Sequence, residues 1–134
     1  MTNILIPSKE HRQLNFLLLK IYHYCSLLKP RVMYLAIFTS LVGMLIAPGQ
    51  LLPLDFFLVI LAISIGSGAA GALNMWYEKD TDKLMERTKN RALPLGLISS
   101  NGALSFGIFL SIISIVLLYF SSNLFSAGLL GLTI

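Results

Sequence analysis

Asn74, Glu78, Asp82 and Glu86 recur at four-residue intervals directly after a long apolar segment. On an α-helix that spacing stacks them into one column of oxygen ligands. Lys79, Lys83, Arg87 and Arg91 repeat the interval one residue later and form an adjacent basic column. Ionised side chains at a membrane edge are expensive to keep there and are usually functional. An oxygen column beside a cationic one suits a divalent cation holding a diphosphate. Mg²⁺ prefers such oxygen donors, keeps several waters, and is typically held by one or two carboxylates plus phosphate. Arg87 and Arg91 add planar donors that match phosphate oxygens.

The bland alternative is a solvated helix laced by Lys79–Asp82 and Lys83–Glu86 pairs. Pairs at that spacing contribute only about 0.2–0.5 kcal/mol, and a base preceding an acid is the weaker order. The like-charge neighbours Glu78–Asp82 and Asp82–Glu86 cost similar amounts. These terms nearly cancel, so helix stability alone does not account for the arrangement. The bases could also serve as anchors at the membrane face, but anchoring has no use for a fixed register with the acids.

Positioning those residues falls to a chain made for lipid. Apolar residues are 56% of its 134 residues, and its mean hydropathy is +0.80. Soluble domains typically hold about 45–50% apolar residues. Val32–Ala47, Phe56–Tyr77 and Leu97–Phe120 are uncharged, against the roughly 20 residues a span requires. Leu124–Ile134 reads as a fourth span that stops at about half that length. A half-span leaves carbonyls without partners in lipid, so the chain is expected to be a fragment. Pro94 disfavours helix at Leu93, so a break is expected near there before the third span. The fold class is therefore an all-α polytopic membrane bundle: about three complete transmembrane helices, a partial fourth and an N-terminal interfacial helix.

Lys9, Arg12, Lys20, Lys29 and Arg31 precede the first span, and Pro48–Leu54 has no base. The loop after the second span carries Lys79, Lys83, Arg87, Lys89 and Arg91, while Ser121–Asn123 has none. That alternation predicts a cytoplasmic N-terminus and a cytoplasmic charged loop in a multi-pass inner-membrane protein. The formal charge of +4 then reflects topology and not nucleic-acid binding. Lys20, His23 and Glu10 interrupt the first apolar stretch and its flank, which argues against a cleaved signal. Leu14, Leu17, Leu18, Ile21, Cys25 and Leu28 recur at helical spacing and predict an amphipathic helix in the membrane interface. Residues 1–30 thus form an arm with an interfacial helix, and residues 31–134 the transmembrane domain.

Cys25 is the only cysteine, which excludes an intrachain disulfide. His11 and His23 lie outside any local motif and read as solvated or interfacial. Gly66-Ser-Gly-Ala-Ala-Gly-Ala72 precedes Asn74. Small residues let helices approach closely in lipid, and they also leave room for a bulky apolar substrate beside the polar column.

Asn74-Met-Trp-Tyr-Glu78-Lys-Asp80-Thr-Asp82, followed by Arg87-Thr-Lys-Asn-Arg91-Ala-Leu-Pro94, resembles the first aspartate-rich motif of intramembrane aromatic prenyltransferases. Within them, the Asn-Met-Trp-Tyr opening resembles the protohaem IX farnesyltransferase (haem O synthase) family. Leu28-Lys-Pro-Arg31-Val-Met, Thr39, Gly43-Met and Ala47-Pro48-Gly49 are similar to that family's first-span region. The resemblance implies transfer of a farnesyl group from farnesyl diphosphate to a vinyl group of haem b, releasing diphosphate. It assigns Mg²⁺ to Asn74, Glu78 and Asp82, with Asp80 contributing beside them. Diphosphate falls to Arg87 and Arg91, with Lys83 assisting.

Two departures accompany the resemblance. Glu78 stands where the family usually has aspartate, which changes the reach of the carboxylate. The family fold also has a second half with a second acidic motif. This chain is therefore expected to be inactive alone, and a separate C-terminal half or a homo-oligomer would complete it. Two other functions remain open at this stage: prenylation of another aromatic acceptor such as 4-hydroxybenzoate, and a non-catalytic membrane remnant or scaffold.

Overall fold

A computed structural model describes residues 9–49 and 52–134. Five helices follow one another: α1 (Lys9–Leu27), α2 (Pro30–Ile46), α3 (Pro53–Leu84), α4 (Ser100–Ser121) and α5 (Leu124–Thr133). The expected all-helical membrane bundle is what the chain forms. α3 and α4 are each long and apolar enough to cross a membrane. α2 has 17 residues, or about 25 Å of helix. It makes a third span only together with α1, from which it is bent by 53°. Met1–Ser8 of the N-terminal arm and the side chains of Lys9, Glu10, His11 and Arg12 lie outside the described residues, as do residues 50 and 51.

The bend has a local cause. Pro30 occupies the first turn of α2, and the residue before a proline is disfavoured in the helical region. Lys29 takes the left-handed conformation instead, with φ 47° and ψ 67°, at a cost of roughly 1–2 kcal/mol for a side chain with a Cβ. Its carbonyl then accepts the Val32 and Met33 amides and starts α2 on a new axis. Pro53 begins α3 from an extended Leu52, whose carbonyl accepts the Phe56 amide. α4 and α5 use polar caps: Ser99 Oγ accepts the Gly102 amide and Asn123 Oδ1 accepts the Ser126 amide.

α3 packs most closely against α4, with α2 on its other side. Gly71 of α3 lies so close to the α1–α2 junction that a Cβ there would stand 3.2 Å from the carbonyl oxygens of Leu27 and Leu28. That approach brings the start of α2 and the far part of α3 to one end of the bundle. The start of α4 lies there too, because Lys79 reaches Ser100. Leu27, Met75, Leu93 and Ile98 form the buried core of this end, flanked by Tyr24, Trp76 and Phe106. Val59, Ala62 and Leu118 make a smaller core toward the other end.

Two expectations need correcting. α3 ends at Leu84 and not near Leu93, because the chain closes into hydrogen-bonded turns nine residues before Pro94 can act. Glu86, Arg87 and Arg91 therefore leave the columns, and only Asn74, Glu78 and Asp82 share the helical face. No protein covers most of the stripe expected to face the membrane interface: Leu14, Leu17, Leu18, Ile21 and Cys25 are all exposed, and α1 packs through Leu27.

Candidate active site

α3 has 32 residues, about 48 Å of helix, which exceeds the roughly 30 Å hydrocarbon thickness. Its last turns carry the polar face beyond the apolar stretch. Asn74 Nδ2 donates to Glu78 Oε2 at 2.8 Å. Among the described residues Glu78 has no basic partner. One turn on, Asp82 is only 4% exposed. Arg91 Nη1 meets its Oδ2 at 2.8 Å from across the loop.

A buried carboxylate without a partner would be costly, so the loop is built to deliver Arg91. Thr88, 2% exposed, donates its hydroxyl to the Asp82 carbonyl at 3.1 Å, satisfying one of the free carbonyls at the end of α3. Backbone bonds from Thr88 and Lys89 to Met85, from Arg91 to Thr88, and from Leu97 to Ala92 wind the rest into successive turns. Ala92, Leu93 and Ile98 are buried beneath these turns. Sequence reading missed Thr88. Its only signal was a small hydroxyl residue between two basic ones, just past a helix end.

The remaining charges are arranged differently from the predicted pairs. Lys83 bonds Asp80 at 3.0 Å, both exposed, because Glu86 lies past the end of α3. Glu86 pairs with Lys89 at 2.6 Å instead. Lys79 leaves Asp82 to Arg91; its amine bonds Ser100 Oγ at 3.1 Å and lies 5.0 Å from the Trp76 ring centroid. Arg87 is exposed and makes no ion pair among the described residues. The structure thus joins Asn74 to Glu78 and Asp82 to Arg91, and leaves Asp80 with Lys83 and Arg87 apart from them.

Beside Asn74 opens a groove of about 600 Å³. Ser67, Ala70 and Gly71 floor it, Trp76 and Tyr77 line it, and Lys29 reaches it from the α1–α2 junction. The small-residue run divides its work by face. Gly66 and Gly68 pack against Leu130 and Leu28, while Ser67 and Ala70 leave the groove open. Lys29 was missed as a site residue, although it lies within the Lys-Pro-Arg stretch.

Among the described residues, no three of His, Cys, Asp and Glu converge as a metal cage. Donors one turn apart on α3 are spaced by about 6 Å along the axis, too far for one ion to take them all directly. The set fits an ion that uses one or two carboxylates and completes its shell with water and phosphate, which is the habit of Mg²⁺. Glu78, partly exposed and without a basic partner among the described residues, is the carboxylate best placed for it, with buried Asp82 one turn on.

The sequence pattern of the UbiA prenyltransferase family matches residues 36–134. The chain belongs to this family. Among curated relatives, the protoheme IX farnesyltransferase of Bartonella henselae is 52% identical over 114 residues, covering 85% of this chain and 36% of that protein. The protoheme IX farnesyltransferase of Rhodopseudomonas palustris is 55% identical over 111 residues, with 83% and 36% covered. That of Ehrlichia canis is 48% identical over 114 residues, with 85% and 39% covered. The chain thus spans a little over a third of the length of these relatives. No solved structure matches it. The whole Asn74–Arg91 region lies inside the matched residues.

Proposed function

We propose that this chain supplies the diphosphate-binding part of a protohaem IX farnesyltransferase, which transfers the farnesyl group of farnesyl diphosphate to a vinyl carbon of haem b. The observation that carries the reading is Asp82, buried on Arg91 one turn past the base-free Glu78–Asn74 pair, whose Asn74 lines an open, largely apolar groove. Of Asn74, Glu78 and Asp82, one or two would ligate Mg²⁺ directly and the rest would act through its waters, with Asp80 beside them, and the ion would stabilise negative charge on the departing diphosphate. Arg91 and Arg87 bind the diphosphate oxygens, and Lys83 exchanges Asp80 for them. Arg91, already held by Asp82, is the charge in place before the substrate arrives, and such a preorganised charge stabilises a developing oxyanion with little reorganisation. The groove floor of Ser67, Ala70 and Gly71 takes apolar substrate and keeps water from the allylic carbon as its C–O bond breaks. The vinyl group then attacks that carbon, and water adds to the product cation.

The basic end of the bundle faces the cytoplasm of a bacterial inner membrane on this reading. A separate C-terminal half completes the site, or a second copy of the chain does so as a homo-oligomer. The test is product analysis by mass spectrometry in membranes of a host lacking its own haem O synthase. The chain is expressed alone, or together with the part of the Bartonella henselae relative that it does not match, and supplied with farnesyl diphosphate and Mg²⁺. Haem b or 4-hydroxybenzoate serves as acceptor. Haem O is expected from the paired halves with haem b and is lost in Asp82→Ala. Haem O from the chain alone would favour the homo-oligomer. Farnesylated 4-hydroxybenzoate, or no haem O in any arrangement, would contradict the proposal.

A further inference from the structure

A second groove, of about 450 Å³, lies away from the Asn74 face, between α1 and the turn that leads into α4. Phe16, Leu19, Leu97 and Ile98 give it apolar walls; Lys20, His23 and Ser99 give it polar ones. No carboxylate lines it, and Lys20 makes no ion pair among the described residues. Ser99 Oγ already accepts the Gly102 amide at 3.1 Å, so its hydroxyl proton is free to donate. The groove opens at the end of the bundle where Lys79 reaches Ser100, the level at which α3 passes from apolar to charged residues. Phe16 and Leu19, at 66% and 57% exposure, border it with apolar surface that no other helix covers.

We propose that this groove binds one anionic phospholipid. Its phosphate is held by Lys20, His23 and Ser99, and its acyl chain lies along Phe16, Leu19 and Leu97. Charge complementarity selects the occupant. Cationic and donor groups with no neighbouring acid favour an anionic headgroup over a zwitterionic one, and the apolar walls favour a lipid over free phosphate. A lipid bound there joins α1 to the start of α4, and so steadies the bent helix pair against the end of the bundle that holds the candidate active site.

Native mass spectrometry of the delipidated full chain, titrated with phosphatidylglycerol or with phosphatidylcholine of the same acyl chains, tests this. One molecule of phosphatidylglycerol is expected to bind at least about fivefold more tightly than phosphatidylcholine, the factor for one basic group near a membrane surface. Lys20→Gln should lower phosphatidylglycerol affinity by about that factor and leave phosphatidylcholine unchanged. Lys89→Gln, an equal loss of charge outside the groove, should change neither. Equal losses from Lys20→Gln and Lys89→Gln, no preference between the lipids, or competition by millimolar inorganic phosphate would overturn the proposal. Should Lys20→Gln lose helicity by circular dichroism, Leu97→Trp fills the groove with every charge in place. It must then weaken phosphatidylglycerol binding, and unchanged binding rejects the site.

Discussion

α2 and the loop after α3 invert the ordinary relation between composition and burial. α2 is almost wholly apolar, yet none of its residues is buried, and Tyr34, Leu35 and Phe38 lie at 64–73% exposure. The loop from Met85 to Ser99 is rich in charge, yet buries Thr88, Ala92, Leu93 and Ile98, and it covers Asp82. In lipid, apolar surface has no reason to leave its surroundings, so hydrophobicity does not mark the core. What the chain encloses is the polar junction at the end of α3, where each group needs a defined partner.

The largest effect that would sharpen this contrast is expected from Arg91→Ala, which strands Asp82 as a buried, unpaired charge. A loss of about 3–5 kcal/mol is expected, read as earlier thermal unfolding in detergent and faster tryptic cleavage at Arg87 and Lys89. Thr88→Val should cost about 1–3 kcal/mol by leaving the Asp82 carbonyl without its donor, and Thr88→Ser should restore most of it. Gly71→Ala presses a methyl group against the Leu27 and Leu28 carbonyls. A cost of about 1–2 kcal/mol is expected, with the α1–α2 pair loosened from α3 and the loop intact by proteolysis. The Lys83–Asp80 pair is 54% and 75% exposed, so Lys83→Gln should leave thermal unfolding indistinguishable from wild type. Phe38→Ala on α2 should be equally silent, within about 0.5 kcal/mol. A large effect at Phe38 together with a small one at Arg91 would reverse the comparison.

Much of this was legible in the sequence. Apolar runs located α3 and α4 to within a few residues, and four-residue spacing put Asn74, Glu78 and Asp82 on one helical face. Periodicity, however, cannot say where a helix stops when the next residues are all compatible with helix. Glu86, Arg87 and Arg91 kept the interval, but the chain turned at Leu84 because Thr88 and Arg91 both fold back onto Asp82. That is a tertiary decision, with partners six and nine residues away. The stripe on α1 marked the face that protein leaves uncovered, but not the residues that pack. Leu27 and Tyr24, which do pack, were chosen by the bend at Lys29 and by the close approach of Gly71.

The direct test of the buried junction is a double-mutant cycle on Asp82 and Arg91. Unfolding free energies of the wild type, Asp82→Asn, Arg91→Gln and the double variant would be measured in the same detergent. A coupling of at least about 1.5 kcal/mol is predicted, with the double variant more stable than Arg91→Gln alone, because it no longer buries an unpaired carboxylate. Additive effects, with coupling below about 0.5 kcal/mol, would mean that Arg91 does not hold Asp82 and that the loop does not build the site.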